Sequence, residues 1–424
     1  MDVPPPPEAT PGTPGNAGPP AVPGLPASAA APGNAPPGAV PAVSASAAAP
    51  DVPALDLPAL VDHHCHGVLR EGPEERGAFE ALLTEADAPP APGTSYFDTQ
   101  LGFAVRRWCA PALGLPAHAP PEAYLARRRA LGTAEVTRRL LRAAGIGAFL
   151  VDTGLPGPLL GPEELAAAGD GQAREVVRLE TLAERAAATA DSADAFLGAL
   201  DEALAQAART AVAFKSVAAY RHGLHLAPAP PAPAELWPAA DRWLSGGDRA
   251  RLTDPVLLRH LLWSAARTGL PLQLHTGFGD PDLRLHHADP ALLTDFLRAV
   301  RPTGCRVVLL HGYPYHRTAG YLAAAYPHVY ADVGLALSHT GARAEAVLAE
   351  MLELTPFGKL LFSTDAYGLP ELYLVGSRLF RDALGRVLGT AVAEGAWSPA
   401  DAPRVAALIA SGNARRLYRL GREG

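Results

Sequence analysis

From residue 57 onward, short apolar runs of the sequence alternate with longer amphipathic stretches. Most of these runs are apolar almost throughout, as expected of parallel strands that are buried on both faces. The eight runs that predict strands are Leu57 to Cys65, Gly147 to Asp152, Val176 to Leu182, Ala211 to Val217, Leu270 to His275, Arg306 to His311, Val329 to Val333 and Lys359 to Ser363. A strand followed by a helix, repeated eight times, predicts an α/β fold of the (β/α)8 TIM barrel type.

The stretches between the runs carry helix signals. Thr253-Asp254-Pro255 is a cap residue followed by a proline, so it predicts the start of a helix that extends to Thr268. Leu182 to Thr210 also predicts a helix, and residues 67–146 predict a helical insertion after strand one. Glu371 to Glu394 predicts the eighth helix, and Pro399 to Leu420 a C-terminal helical extension. An open doubly wound sheet is the alternative, but it needs a glycine-rich turn after the first strand, which Gly67-Val68-Leu69-Arg70 does not provide.

Composition divides the chain into two parts. Residues 1–53 are almost wholly Pro, Ala, Gly, Ser and Val, and such a segment has little side-chain area to bury, so we predict a disordered tail. Residues 54–424 are the predicted barrel domain. The tail lacks the pattern of a signal peptide, and no apolar run approaches the roughly 20 residues that span a membrane.

Charge and cysteine content argue against several classes of protein. The net charge is −7, from 36 basic and 43 acidic residues, and no basic stripe is present, so nucleic acid is not an expected partner. Cys65, Cys109 and Cys305 are far apart and odd in number. They predict reduced, mostly buried thiols in a cytoplasmic protein. The expected partner is a small-molecule substrate.

In a barrel of this type the active site lies at the C-terminal ends of the strands. The first strand ends in Asp62-His63-His64-Cys65-His66, and two histidines one residue apart point to the same side of a strand. His64 and His66 can therefore reach one metal ion, for which imidazole is a common ligand. The polar residues at the ends of the later strands are Asp152, Glu180, Lys215, Gln273, His275, His311, Asp332 and Asp365.

In order and spacing, these motifs resemble those of the amidohydrolase superfamily. The likeness covers the chain from about residue 55 and is to the amidohydrolase-2 type, in particular the amidohydrolase half of FluG-like proteins, where that half is fused to a glutamine-synthetase-like domain. The motifs that carry it are Gln273-Leu-His-Thr-Gly-Phe-Gly-Asp280, Phe214-Lys-Ser216, Asp332-Val-Gly334, Phe362-Ser-Thr-Asp365 and Asn413-Ala-Arg-Arg-Leu-Tyr418.

The resemblance implies a divalent metal, Zn²⁺ with Mn²⁺ as the alternative. The implied ligands are His64, His66, His275 and Asp365, and Asp365 would also accept a proton. His311 would be either a further ligand or the residue that polarises the substrate. The resemblance also allows a homodimer.

The role of Lys215 stays open among three alternatives. It could be carboxylated and bridge two metals, it could bind a substrate carboxylate, or it could pair with Asp152 or Glu180 inside the barrel. Arg221, in the loop after strand four, is a candidate carboxylate clamp because a guanidinium pairs bidentately with a carboxylate.

Hydrolysis of an amide or related C–N bond is the reaction that suits this site. A bound metal lowers the pKa of its water toward about 7, and His311 could stabilise the oxyanion of the intermediate. By analogy with the synthetase fusions, a γ-glutamyl amide is the candidate substrate. The alternatives are a non-oxidative, metal-dependent decarboxylase and a metal-free scaffold or binding protein.

Overall fold

The computed structural model describes residues 57–246 and 249–421. The predicted disordered tail, residues 1–53, lies outside the described residues.

Within the described residues, parallel strands form a sheet in which each strand pairs with the next along the chain. The strands β5 and β6 are buried at every residue, as their apolar sequences predict. The strands are β1 Leu60–Cys65, β2 Ile146–Asp152, β3 Gln172–Arg178, β4 Ala213–Ser216, β5 Leu272–Thr276, β6 Val307–His311 and β7 Val329–Ala331. This order and the helices between the strands confirm the predicted barrel-like α/β fold.

The predicted eighth strand, Lys359 to Ser363, is not a regular strand. Its place is taken by an irregular segment, residues 360–366, which bonds to both edges of the sheet. Leu361 N donates to Ala331 O of β7 at 3.0 Å, and Asp365 N donates to His64 O of β1 at 3.1 Å. The ladder is interrupted at Thr364, whose N donates to the Asp62 carboxylate at 3.0 Å and not to a strand carbonyl. The hydroxyl groups of Ser363 and Thr364 also bind buried carboxylates. The segment nevertheless links β7 to β1.

The predicted bounds of the third strand were wrong. β3 ends at Arg178, and Glu180 lies in the first turn of the next helix, not on the strand. The first half of β3 is partly exposed, so its polar residues did not match the pattern of a buried strand. The predicted single helix from Leu182 to Thr210 is two helices, the second capped by Ser192, whose hydroxyl accepts from Ala195 N.

Helices cover the outside of the sheet and form the predicted insertion and extension. The predicted helix start at Asp254 is confirmed, since its side chain caps the first turn. The α-helices of the described residues are Arg76–Glu80, Gln100–Ala112, Pro121–Leu131, Thr133–Ala144, Pro162–Gly169, Leu179–Thr189, Ala193–Thr210, Ala218–Arg221, Pro233–Ser245, Pro255–Arg267, Thr294–Val300, His316–Ala325, Gly334–Thr340, Ala344–Leu352, Pro370–Ala393, Asp401–Ala407 and Asn413–Leu417. None of the helices in this described part is long and apolar enough to cross a membrane.

A buried ion pair connects the insertion, residues 67–146, to the helix Pro370–Ala393. Arg128 Nε donates to Glu371 Oε1 at 2.6 Å, and the Tyr124 hydroxyl donates to the same oxygen at 2.8 Å. All three side chains are buried. Because removal of one partner would leave a buried charge uncompensated, this contact holds the insertion in one position.

A second apolar cluster fills the interior of the barrel. It contains strand residues such as Val61, Leu150 and Leu310, and it also contains Leu417 and Tyr418 from the C-terminal extension. The last helix and Tyr418, which follows it, therefore pack against the strand residues of this cluster. Tyr418 carries a hydroxyl into this cluster, and a buried hydroxyl needs a hydrogen-bond partner.

Candidate metal centre

The ends of β1 and of the irregular segment bring two histidines and a carboxylate together. His64 Nε2 lies 3.1 Å from Asp365 Oδ1, and His66 Nε2 lies 3.3 Å from the same oxygen. One ligand atom from each of the three residues lies within 4.8 Å of the other two. The two rings are buried, and the Asp365 side chain is 13 % exposed. The geometry is that of a group that can hold a metal ion.

His311 and Asp365 have left-handed backbones, with φ angles of 68° and 52°. Non-glycine residues adopt this conformation rarely, and it persists where surrounding contacts hold it. One such contact is the hydrogen bond that His311 N donates to Asp332 Oδ1 at 2.6 Å. These two backbone conformations bring the side chains together, and His311 Nε2 lies 3.3 Å from Asp365 Oδ2.

Gln273 determines which ring nitrogen of His64 carries the hydrogen. Gln273 Nε2 donates to His63 O at 2.8 Å and to the Tyr418 hydroxyl at 2.9 Å. A carbonyl oxygen only accepts, so this contact fixes the orientation of the amide. Gln273 Oε1 therefore accepts from His64 Nδ1 at 2.9 Å. Burial, followed by the charge of Lys215, lowers the pKa of His64 to about 3, so its Nε2 presents a lone pair at neutral pH.

His66 is oriented in the same way by a backbone carbonyl. Its Nδ1 donates to Asp152 O at 3.1 Å, which leaves Nε2 facing Asp365 Oδ1. Although burial favours the neutral form of Asp365, the neighbouring His311 holds the pKa of its carboxyl well below the usual value. An imidazole lone pair and an ionised carboxylate oxygen at this separation repel each other unless a cation lies between them. The donor atoms therefore fit a metal ion.

His275 and His311 add unsatisfied nitrogens beside this group. His275 Nε2 and both ring nitrogens of His311 are buried, and they have no hydrogen-bond partner within the described residues. Each such atom costs about 1–3 kcal/mol in an empty protein interior. The two rings lie 4.8 Å apart between centroids, although His275 is not one of the three residues whose ligand atoms lie within 4.8 Å of one another. Imidazole nitrogens with one carboxylate are the ligands of catalytic zinc.

Lys215 lies in the middle of the site. Its Nζ is 3.1 Å from His64 Nε2, it is 2 % exposed, and burial lowers its pKa to about 8. The third alternative for Lys215 was an ion pair with Asp152 or Glu180. The hydrogen bonds and ion pairs of the described residues do not include such a pair. The Asp152 carboxylate accepts from Arg178 and Gly154, and the Glu180 carboxylate accepts from Ser216 and Val217.

Arg221 lies on the wall of the cavity above the site and is already paired. Its Nη1 is 2.9 Å from Glu184 Oε1, and both side chains are mostly buried. The cavity has a volume of about 920 Å³, and its inner end is lined by His66, Lys215, His275 and Asp365. It is large enough for a small organic substrate.

Two features of the site were missed by sequence reasoning. Arg178 lines the cavity and binds Asp152, but the misplaced third strand hid its position at a strand end. The orienting role of Gln273 was also missed, because it depends on Tyr418, 145 residues away in sequence. The sequence does contain a signal for Arg178. The segment Glu175-Val-Val-Arg178 ends in a cation, as the fourth predicted strand contains Lys215 near its end.

Comparisons with known proteins identify the family. The sequence model of the amidohydrolase family matches residues 61–420. This protein belongs to the amidohydrolase family. The predicted family is thereby confirmed, and with it the fold of metal-dependent hydrolases.

Two proteins are more than 30% identical to this chain. Protein fluG of Emericella nidulans is 38% identical over 225 residues, which are 50% of this chain and 26% of fluG, so the match spans about a quarter of that relative. A proposed metal-dependent hydrolase from Lactobacillus casei ATCC 334 has a crystal structure that is 31% identical, with a TM-score of 0.75 over 86% of this chain and 96% of that one.

A third similarity concerns the fold alone. The uronate isomerase of Bacillus halodurans C-125 is 14% identical, with a TM-score of 0.59 over 87% of this chain and 95% of that chain. Proteins of one fold can catalyse different reactions, so the reaction of this protein has to be argued from its site.

Proposed function

We propose that this amidohydrolase is a metal-dependent enzyme that hydrolyses an amide or other C–N bond of a small substrate bearing a carboxylate. The observation that carries the proposal is the arrangement around Asp365 Oδ1. Two oriented imidazole nitrogens face this oxygen at 3.1 and 3.3 Å, at the inner end of a cavity. Such an arrangement is stable when a cation is present.

His64, His66, His275 and Asp365 would hold the ion, for which Zn²⁺ is the first candidate and Mn²⁺ the second. When bound, such an ion is a Lewis acid that lowers the pKa of a coordinated water toward about 7. Asp365 would accept the proton that water loses when it attacks the carbonyl carbon, and would later pass it to the leaving nitrogen.

His311 is the second catalytic candidate. His311 lies at the end of β6, where its Nε2 is 3.3 Å from Asp365 Oδ2 and has no other partner in the described residues. A ring N–H at that position can donate to the oxyanion that develops on the carbonyl oxygen. Asp365 and His311 would thus divide proton transfer and charge stabilisation between them.

The substrate class is inferred from the charges of the cavity and from the resemblance to FluG-like proteins. Lys215 and Arg221 both line the cavity, which favours an anionic group on the substrate. The fusion of FluG-like proteins to a glutamine-synthetase-like domain makes a γ-glutamyl amide the first candidate.

The test combines metal analysis with product analysis. The purified full chain is expected to contain zinc or manganese and, when replete with that metal, to release amine or ammonia from γ-glutamyl amides or from other short carboxylate-bearing amides. Carbon dioxide release from carboxylic acids without amine release would indicate the decarboxylase instead. A metal-replete protein that releases neither product would contradict the proposal.

A further inference from the structure

We propose that Arg178 is the residue that binds the substrate carboxylate, together with Lys215, in a subsite at the inner end of the cavity. The inference rests on the proposed hydrolysis of a carboxylate-bearing substrate. It replaces Arg221 as the carboxylate clamp.

The pairing of the strands places two cations side by side. Arg178 of β3 and Lys215 of β4 are partners in the parallel register, so their side chains project from the same face of the sheet. Both line the cavity. Two adjacent cations that are both mostly buried repel each other in a medium of low dielectric constant, and an anion between them would relieve that repulsion.

Arg178 keeps one nitrogen available for a ligand. Its Nε and Nη2 donate to the same oxygen, Asp152 Oδ2, at 3.1 and 2.6 Å. Its Nη1 has no hydrogen-bond partner in the described part of the chain, and the side chain is 10 % exposed. Gly154 gives the side chain its room, because a Cβ there would lie 2.4 Å from Arg178 Cβ and 2.7 Å from Nε. Asp152 therefore fixes the Nε and Nη2 side of the guanidinium, and the N–H groups of Nη1 remain available to a ligand.

The nearby carboxylates do not cancel the charge of the pair. Asp152 is shared with Arg178 and with the Gly154 amide. Glu180 is fully buried, burial raises the pKa of its carboxyl, and its Oε2 has no partner within the described residues. Its Oε1 accepts from the Ser216 hydroxyl and from Val217 N. Asp365 also lies at this end of the cavity, but in the metal-loaded enzyme it would bind the ion, so Asp152 is the carboxylate that remains beside Arg178 and Lys215.

The other cavity arginines are less suited to the role. Arg221 is paired with Glu184, and Arg251 is paired with Asp282, each at 2.9 Å. Arg185 lines the cavity but is exposed, so water screens its charge. A carboxylate held by Arg178 would also lie close to the ligand histidines, because Asp152 accepts from His66 through its carbonyl and binds Arg178 through its carboxylate. A short substrate can bridge that distance, whereas the outer arginines suit longer ones.

The test measures binding of glutarate to the metal-loaded full chain by calorimetry, with its neutral diamide as the matched ligand. Arg178→Met is expected to weaken glutarate binding by about 10-fold or more, because it removes charge-assisted hydrogen bonds to the carboxylate. Arg178→Lys keeps the charge but loses the planar fork, so an intermediate loss is expected. Binding of the diamide should not change. The control Arg185→Met should stay within about two-fold of the wild type.

Three results would overturn the subsite: no binding of glutarate by the wild type, a change below about two-fold in Arg178→Met, or an equal loss in Arg185→Met. Should Arg178→Met fail to fold because Asp152 is left uncompensated, Arg178→Lys and the double variant Arg178→Met/Asp152→Asn carry the same comparison. The same variants separate the subsite from the proposed reaction. If glutarate binding depends on Arg178 but the protein releases no amine, the subsite stands and the proposed hydrolysis is wrong. If Arg178→Met releases amine as fast as the wild type, the hydrolysis stands and the subsite is wrong.

Discussion

The two halves of the candidate metal centre are built differently. At the end of β1, His64 and His66 each have one ring nitrogen fixed by an acceptor, the Gln273 amide and the Asp152 carbonyl, so the other nitrogen is committed to the site. At the ends of β5 and β6, His275 and His311 have buried nitrogens with no partner in the described residues. A ligand whose other nitrogen is fixed is ready to bind metal, whereas an unpartnered ring can change its hydrogen bonds during a reaction. We infer that the β1 half orients the ion, that His275 and Asp365 complete its ligand set, and that His311 acts on the substrate.

Asp365 joins the two halves, so its replacement should have the largest effect. Asp365→Asn is expected to lower kcat by on the order of 10⁴-fold, since it removes both a negative ligand and the proton acceptor. Circular dichroism and melting should show a folded protein. Activity near that of the wild type would exclude Asp365 from the mechanism and would leave the two halves chemically unconnected.

The next comparison sets His64 against His311. His64→Ala should lower metal affinity by on the order of 10²-fold or more, because it removes a preoriented ligand. His311→Asn should retain the metal and lose roughly 10²–10³-fold in kcat, because it removes a donor to the oxyanion. Elemental analysis and kinetics on the same preparations separate the two effects. Loss of metal in both variants would make His311 a ligand and would abolish the proposed difference between the halves.

A smaller effect is expected when the orientation of His64 is removed but the ligand is kept. Gln273→Leu should weaken metal binding by about 10- to 100-fold, as is usual for partners of ligating histidines. Competition with a chelator measures this, and Gln100→Leu at the exposed start of a helix is the control. If Gln273→Leu binds metal as tightly as the control variant, His64 does not need its amide partner.

The smallest effect on metal affinity should come from Tyr418, which contacts Gln273 and not His64 itself. The Tyr418 hydroxyl accepts from Gln273 and lies 3.0 Å from His63 Nδ1, so Tyr418→Phe leaves the amide with one acceptor. We expect a loss of about 1 kcal/mol in the free energy of unfolding and a several-fold loss in metal affinity. Tyr330→Phe is the matched control, because Tyr330 packs against the same interior cluster. Equal behaviour of the two variants would show that the hydroxyl does not act on the site.

The sequence predicted the parts of this protein that depend on local pattern. The apolar runs predicted the strands, and the spacing of His64 and His66 predicted that they share a side, because both signals repeat along a short stretch of chain. Arg178 and Glu180 were misplaced because β3 is partly exposed and does not look like a buried strand. The roles of Gln273 and Tyr418 depend on contacts between distant segments, and no local pattern encodes such contacts.

The position of Tyr418 has a consequence for the order of events during synthesis. His64 is among the first of the described residues to leave the ribosome, yet the tyrosine that completes its hydrogen-bond chain through Gln273 is among the last. His64 therefore completes its hydrogen-bond chain only when almost all of the described residues are present, whereas His66 needs only the carbonyl of Asp152 in β2. A metal ion captured early, by the bare His-x-His segment, would meet a different site from the one that the finished barrel offers.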